Sequence, residues 1–272
     1  MLKKICSWII GVILTVLVLL IGIFAFWYFG STNYHLTGVP VLNYHQVNNK
    51  FNTVLTMKPA NFDEQMKYLH DNDYHSITLE QFDAYMRGEG DLPDRPVLIT
   101  FDDGYRSNYD LVYPILQECG VKACISVIVL MPDLPTDNFC TWNQLREMTA
   151  SGLVEIGSHS YRLHNLGGDG GNFESGGANG VERRPNESDT DFQNRVLDDI
   201  QLSHDRIAEE LGGVTCFAYP FGCSDPDAKT LVDELFPVTL MTMPKCADLA
   251  KGLHDLPRFT VTMKTDLGKL LR

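Results

Sequence analysis

Residues 98–105, LITFDDGY, carry an apolar run straight into two adjacent carboxylates, Asp102 and Asp103, and then a glycine. Neighbouring like charges repel and cost heavily when desolvated unpaired, so a cation between them is the chemical reading and a solvated loop start the plain one. In a regular strand the two acids would point to opposite faces. Gly104 lets the chain leave the pleat there, so both carboxylates can converge on one cavity. A second polar cluster lies in GSHSYRLHNL (157–166), where His159 and His164 stand five apart. Ligands on one helical face are separated by three or four, so this spacing suits a loop that folds back to present two imidazoles. Two histidines and one carboxylate make a common half-open metal site. One acid of the doublet can then bind a cation while the other, held off it, accepts a proton from the water that the cation activates. His45, at the end of GVPVLNYH (38–45), is a third polar strand end.

Short apolar strands and helical segments must position these residues. Strand candidates are 38–45, 95–101, 123–130, 153–159, 214–222 and 238–242, and helix candidates are 59–74, 108–120, 141–152 and 189–213. Phe62, Met66 and Leu69 fall on one face of the first helix. Gly120, Gly152 and Gly212–Gly213 close the other three, and Pro114 falls inside the second. Repeated β-then-α units imply parallel strands joined by crossovers, with chemistry on loops at the carboxyl ends of the strands. The stretch 167–188 is Gly-rich, polar and aperiodic and reads as a long surface insertion. It lacks a preceding strand and a GK[ST] sequence, which argues against nucleotide binding.

The first 30 residues differ from the rest. Lys3 and Lys4 precede Cys6–Tyr28, a run of 23 residues without charge, long enough to span a bilayer and too long for the core of a cleaved signal peptide. Phe26, Trp27, Tyr28 and Phe29 cluster at its far end, where an aromatic belt is expected, and the lysines favour an inside amino terminus. The expectation is a single-pass signal anchor (1–30) at the cell membrane and one extracytoplasmic, monomeric ectodomain (31–272). Of 22 basic and 35 acidic residues, removing Lys3 and Lys4 leaves 20 against 35, a charge of −15. This argues against nucleic acid or an anionic membrane surface as partner, so no nucleic-acid partner is expected. Six of the seven cysteines lie beyond the anchor and no CxxC pair occurs, so their pairing stays open.

TFDDGY, followed by SHSYRLH, resembles the polysaccharide deacetylase family, also called the NodB-homology or carbohydrate esterase 4 family. PVLNYHQV (40–47), FAYPFG (217–222) and LPRFTV (256–261) extend the resemblance over about residues 38–262. It implies a distorted (β/α) barrel of about seven strands and a divalent metal, usually Zn2+, in a hydrolase that removes N-acetyl groups from N-acetylglucosamine polymers. By position, Asp102 matches the general base, and Asp103, His159 and His164 match the metal ligands. The five-residue histidine spacing is similar to the subgroup acting on poly-N-acetylglucosamine, where a histidine in the YH motif serves as general acid, which points to His45. His254, in GLHDLP, is the competing acid.

Two features depart from the family pattern. Ala218 stands where the third motif often carries an arginine that orients the base, and Arg258 is the candidate to supply that cation to Asp102. The backbone N–H of Phe221 matches an oxyanion donor, while the fourth motif is not evident. Tyr161, Tyr219 and Phe221 are candidate sugar contacts. The expected function is deacetylation of a cell-surface polymer, poly-N-acetylglucosamine or peptidoglycan. A non-catalytic carbohydrate-binding relative and another metal hydrolase are the rival readings.

Overall fold

A computed structural model describes residues 38–50, 53–164, 180–184, 186–222 and 225–271. The expected anchor, 1–30, lies outside the described residues, as do Cys223 and the expected Gly-rich insertion up to residue 179. Among the described residues no helix is long and apolar enough to cross a membrane. The described cysteines, Cys119, Cys124, Cys140, Cys216 and Cys246, are free thiols.

Residues Thr37–Thr265 form one unit. Its strands are β1 (Val41–Tyr44), β2 (His75–Ile77), β3 (Pro96–Asp103), β4 (Ala123–Val127), β5 (Val154–Ser158), β6 (Phe217–Ala218), β7 (Thr239–Met241), β8 (Leu256–Pro257) and β9 (Phe259–Thr260). They pair in the order β8-β7-β6-β5-β4-β3-β1-β9, with β2 on the first residues of β3, and every ladder is parallel. β8 and β9 are one extended run on either side of Arg258, so the path ends where it begins and the sheet forms a nearly closed barrel. Counting that run once and β2 as a flanking strand gives the expected parallel α/β barrel.

The helices are α1 (Pro59–Asp71), α2 (Leu79–Met86), α3 (Tyr113–Cys119), α4 (Leu130–Asp133), α5 (Trp142–Ala150), α6 (Asp189–Leu211) and α7 (Pro226–Leu235). In a second unit, α8 (Leu267–Leu270) is capped by Asp266, whose side chain accepts from Lys269 N. On α1, Phe62, Met66 and Leu69 are buried, as their spacing predicts. Phe62 packs edge-on against Tyr44 and Phe101, with ring centroids 5.3 and 5.6 Å away. The strand 96–103 is buried throughout except at Pro96, because a parallel sheet covered on both faces needs continuous apolar runs. On α6, Phe192, Val196 and Ile200 pack with Phe217, Tyr219, Val232 and Phe236.

The segment 108–120 is not one regular helix. A π turn, Asn108–Val112, precedes α3, and Tyr113 N donates to Asn108 O across five residues. Pro114 lacks an N–H, and the wider turn lets it fall in the first turn of a new helix, where no donor is required. Gly120 then ends α3 in the left-handed conformation, φ 63°. Sequence periodicity also passed over β2 and α2, which are short.

Candidate active site

Asp102 and Asp103 end β3, and the turn begins one residue earlier than the glycine suggests. Asp103 itself takes φ +76°, and Gly104 repeats that value. A side chain at Gly104 would meet Val127 Cγ1 at 2.7 Å, so the glycine serves both the φ and the close approach of β4. Both acids are buried, 3% and 6% exposed, which makes their hydrogen-bond partners decisive.

Asp102 is surrounded by donors. Arg258, fully buried, gives it a bidentate pair: Nη1 to Oδ1 at 2.7 Å and Nη2 to Oδ2 at 2.8 Å. Asn43 Nδ2 donates to the same Oδ2 at 3.0 Å, while Asn43 Oδ1 accepts from Arg258 Nη1 at 3.2 Å. Arg258 Nε donates to Met241 O. Burial alone would raise the Asp102 carboxyl, but the Arg258 guanidinium, doubly bonded to it, outweighs burial and holds the group well below the usual carboxylate range. The sequence reading did not include Asn43. Its signal was a lone amide inside PVLNYH, on a strand that is otherwise apolar.

Asp103 has the opposite environment. Its Oδ1 is buried and accepts no hydrogen bond. It lies 3.6 Å from His159 Nε2 and 3.4 Å from His164 Nε2. Burial, and after it the neighbouring Asp102 charge, push Asp103 up to about 6. Burial likewise pulls His159 down to about 3 and lowers His164. Near neutral pH the trio therefore offers one carboxylate and two neutral imidazoles, the protonation states that metal ligation needs.

Three ligand atoms, one from each of Asp103, His159 and His164, lie within 4.8 Å of one another. Ligands about 2.0–2.1 Å from a tetrahedral zinc stand roughly 3.3–3.5 Å apart, so the two carboxylate-to-imidazole distances fit a first-row divalent ion. His159 Nδ1 lies 2.7 Å from the Ala218 carbonyl, which can only accept. The proton is thereby assigned to Nδ1 and the Nε2 lone pair to the cavity. An orphaned buried carboxylate oxygen beside an oriented imidazole fits a cation.

His45 Nε2 stands 3.9 Å from Asp102 Oδ2, and its side chain is 17% exposed. His254 stands elsewhere: its ring faces Asp233 Oδ2 at 3.6 Å and the Phe236 carbonyl at 3.3 Å, both on or just after α7. The three aromatics separate as well. Phe221 is 54% exposed, adopts φ +58° and packs against His164 at 4.6 Å between centroids. Tyr161 is partly buried, with Asp133 beside its hydroxyl. Tyr219 is fully buried in the cluster under α6 and α7, where it touches Phe217. Tyr105, which follows the doublet, has its hydroxyl against Asp103 and stacks on Phe139.

A parallel barrel that presents an acid doublet and a histidine loop at its strand ends defines a class before it defines a protein. The family described as polysaccharide deacetylase matches residues 89–235, more than half of the chain, and the chain belongs to that family. It is similar to the poly-beta-1,6-N-acetyl-D-glucosamine N-deacetylase of Escherichia coli (strain K12), 31% identical over 142 residues, 47% of this chain and 21% of that protein. The chain thus spans about a fifth of the length of that relative. A putative polysaccharide deacetylase of Bacillus subtilis (strain 168), YxkH, is 25% identical over 225 residues, 82% of this chain and 71% of its own. In structure, the BpsB deacetylase domain from Bordetella bronchiseptica superposes with a TM-score of 0.68 at 26% identity, covering 82% of this chain and 95% of that one.

Proposed function

We propose that this chain is a metal-dependent hydrolase that removes N-acetyl groups from a polysaccharide containing N-acetylglucosamine, either poly-N-acetylglucosamine or peptidoglycan. The observation that carries the reading is the contrast at one strand end: Asp103 Oδ1 is buried without a donor beside two imidazoles, while Asp102 is saturated with donors. Family membership and the names of the relatives support the substrate class.

Asp103, His159 and His164 would hold the ion, most simply Zn2+, one per chain. Bound there, a divalent ion supplies Lewis-acid polarisation of the acetamide carbonyl and increases the acidity of water. Asp102, kept anionic by Arg258, orients the attacking water and takes its proton. The strong pair makes Asp102 a weak base, so much of its contribution is orientation of that water. His45, close to the same carboxylate, gives a proton to the leaving amine. The Phe221 backbone N–H would serve as the oxyanion donor, as its motif position implies, and the exposed Phe221 ring offers a sugar a stacking surface, whereas the Tyr161 hydroxyl is taken up by Asp133.

The anchor 1–30 would hold the catalytic unit 31–272 outside the cell membrane, where such a polymer is found. The length of the uncharged run and its two flanking lysines support this placement.

The deciding experiment is acetate release from N-acetylglucosamine oligomers and from peptidoglycan fragments by the zinc-loaded protein. Wild type releases acetate from at least one substrate, while Asp102→Asn and His159→Ala lose at least 100-fold in kcat/KM. No acetate from either substrate, or an Asp102→Asn protein as active as wild type, defeats the reading.

A further inference from the structure

In the loop carrying both histidines the backbone N–H groups from His159 to Leu163 all have partners, and two of those partners come from one distant helix. His159 N donates to Val127 O, and the carbonyls of Ser160 and Tyr161 accept from Val129 N and Leu130 N. Ser160 N donates to Ser158 Oγ, and Leu163 N to Ser160 Oγ. Ser160 sits at φ +67°, a conformation that an L residue keeps only when its surroundings enforce it.

Helix α6 supplies the rest. Asp199 Oδ1 accepts from Tyr161 N at 2.8 Å, and Asp199 Oδ2 from Arg162 N at 3.0 Å. Four residues on, Ser203 Oγ accepts from Ser158 Oγ at 2.8 Å and donates to Ile200 O. Four residues back, Arg195 donates to the carbonyls of Gly180 and Glu182, where the chain returns after the loop. Residues 195, 199 and 203 lie one above another on the helix. Asp199 is 4% exposed, between the buried Val196 and Ile200. A carboxylate in an apolar row is costly, and burial pushes this one up to about 6. Its position answers a demand: two adjacent loop N–H groups, midway between His159 and His164, have no strand to pair with.

We infer that Asp199 is the positioning residue of the metal site, fixing the separation of His159 and His164 through the backbone of Tyr161 and Arg162, with Ser203 as its auxiliary. The inference rests on the metal reading above. It assigns metal affinity to a helix that contributes no ligand. Outer partners that orient ligands typically change affinity 10–100-fold when removed.

Glu155 is the matched control. It also takes two backbone N–H groups, but from Leu79 and Glu80 at the start of α2 rather than from the histidine loop. Zinc affinity is measured by competition with a chromophoric chelator on the metal-free protein, and Tm is measured without metal. Asp199→Asn keeps one acceptor and sets an amide donor against the second N–H. It is expected to weaken zinc binding at least tenfold, with most of kcat regained at saturating zinc. Glu155→Gln is expected to lower Tm and leave the zinc Kd within twofold. Should Asp199→Asn not fold, Ser203→Ala carries the test, with an expected loss of about threefold. A wild type that binds no zinc overturns the metal reading and this inference with it. A wild type that binds zinc beside an Asp199→Asn or Ser203→Ala protein of unchanged Kd overturns the inference alone.

Discussion

Two sides of the same site are built on opposite principles. On the β1–β3–β9 wall, Asp102, Arg258 and Asn43 satisfy one another through charge-assisted side-chain bonds. On the β5 wall, the histidine loop spends its backbone groups on scaffold and turns its imidazole nitrogens and the oxygen of Asp103 towards one another. Asp102 and Asp103 are covalent neighbours, yet one is held charged by its surroundings and the other is raised by burial. A wall that is complete can fix a charge in place. A wall that is deliberately short of one cation can receive one.

The contrast breaks most severely at Arg258. Arg258→Met leaves Asp102 buried and uncompensated, which is expected to cost about 3–5 kcal/mol in urea unfolding. Adding Asp102→Asn to it should recover at least half of the loss, and no recovery would show that Arg258 matters for packing alone. Next in size is the pH dependence of the metal-free protein. The Asp102 carboxyl is depressed in the fold, so its contribution is present above its unfolded value near 3.9 and lost as pH falls below it. The Asp103 carboxyl is raised to about 6, so ionising it costs stability as pH rises from about 4 to 6. Asp102→Asn should flatten the acid limb below pH 4, whereas Asp103→Asn should gain on the order of 2–3 kcal/mol relative to wild type between pH 4 and 7. Like slopes for both variants would erase the distinction between the two walls.

His159→Ala tests the β5 wall directly. Zinc at about 100 times its Kd should raise wild-type stability by about 2.7 kcal/mol and leave this variant unmoved. Equal zinc stabilisation of both proteins would remove His159 from the ligand set. The smallest effect belongs to Phe221, whose ring is half exposed and touches the β5 wall at His164. Phe221→Ala should raise KM for an oligosaccharide several-fold at nearly constant kcat, and a kcat loss instead would tie the ring to the position of His164.

Much of this geometry was legible in the residues. The doublet, the histidine pair and His45 announced themselves as polar groups at the ends of apolar runs, because desolvated charge at a strand end needs a reason. The long helix 189–211 and the first helix followed from their period, whereas two-residue strands such as β8 and β9 are too short to have one. Asn43 and Asp199 were illegible for a different reason. Each is a single polar residue in an apolar row, and its meaning depends on a partner 59 or 38 positions away that no local pattern names. The π turn was hidden similarly: Pro114 warned of an irregularity without saying how the chain would absorb it. Ala218 lacks the side chain expected at its place, yet its carbonyl orients His159, a role that backbone geometry alone reveals.

Arg258 occupies the seam between β8 and β9, the two runs that join β7 to β1. Its partner Asp102 lies 156 positions earlier, whereas Asn43 and Asp102 are separated by 59. During synthesis the amide and the acid therefore both emerge well before the guanidinium does. Without that guanidinium the acid lacks its bidentate counter-ion, and burying it would be costly. The residue that closes the cylinder is the same one that makes the interior charge tolerable. Closure of the barrel and the charge state of the reaction centre thus depend on one residue.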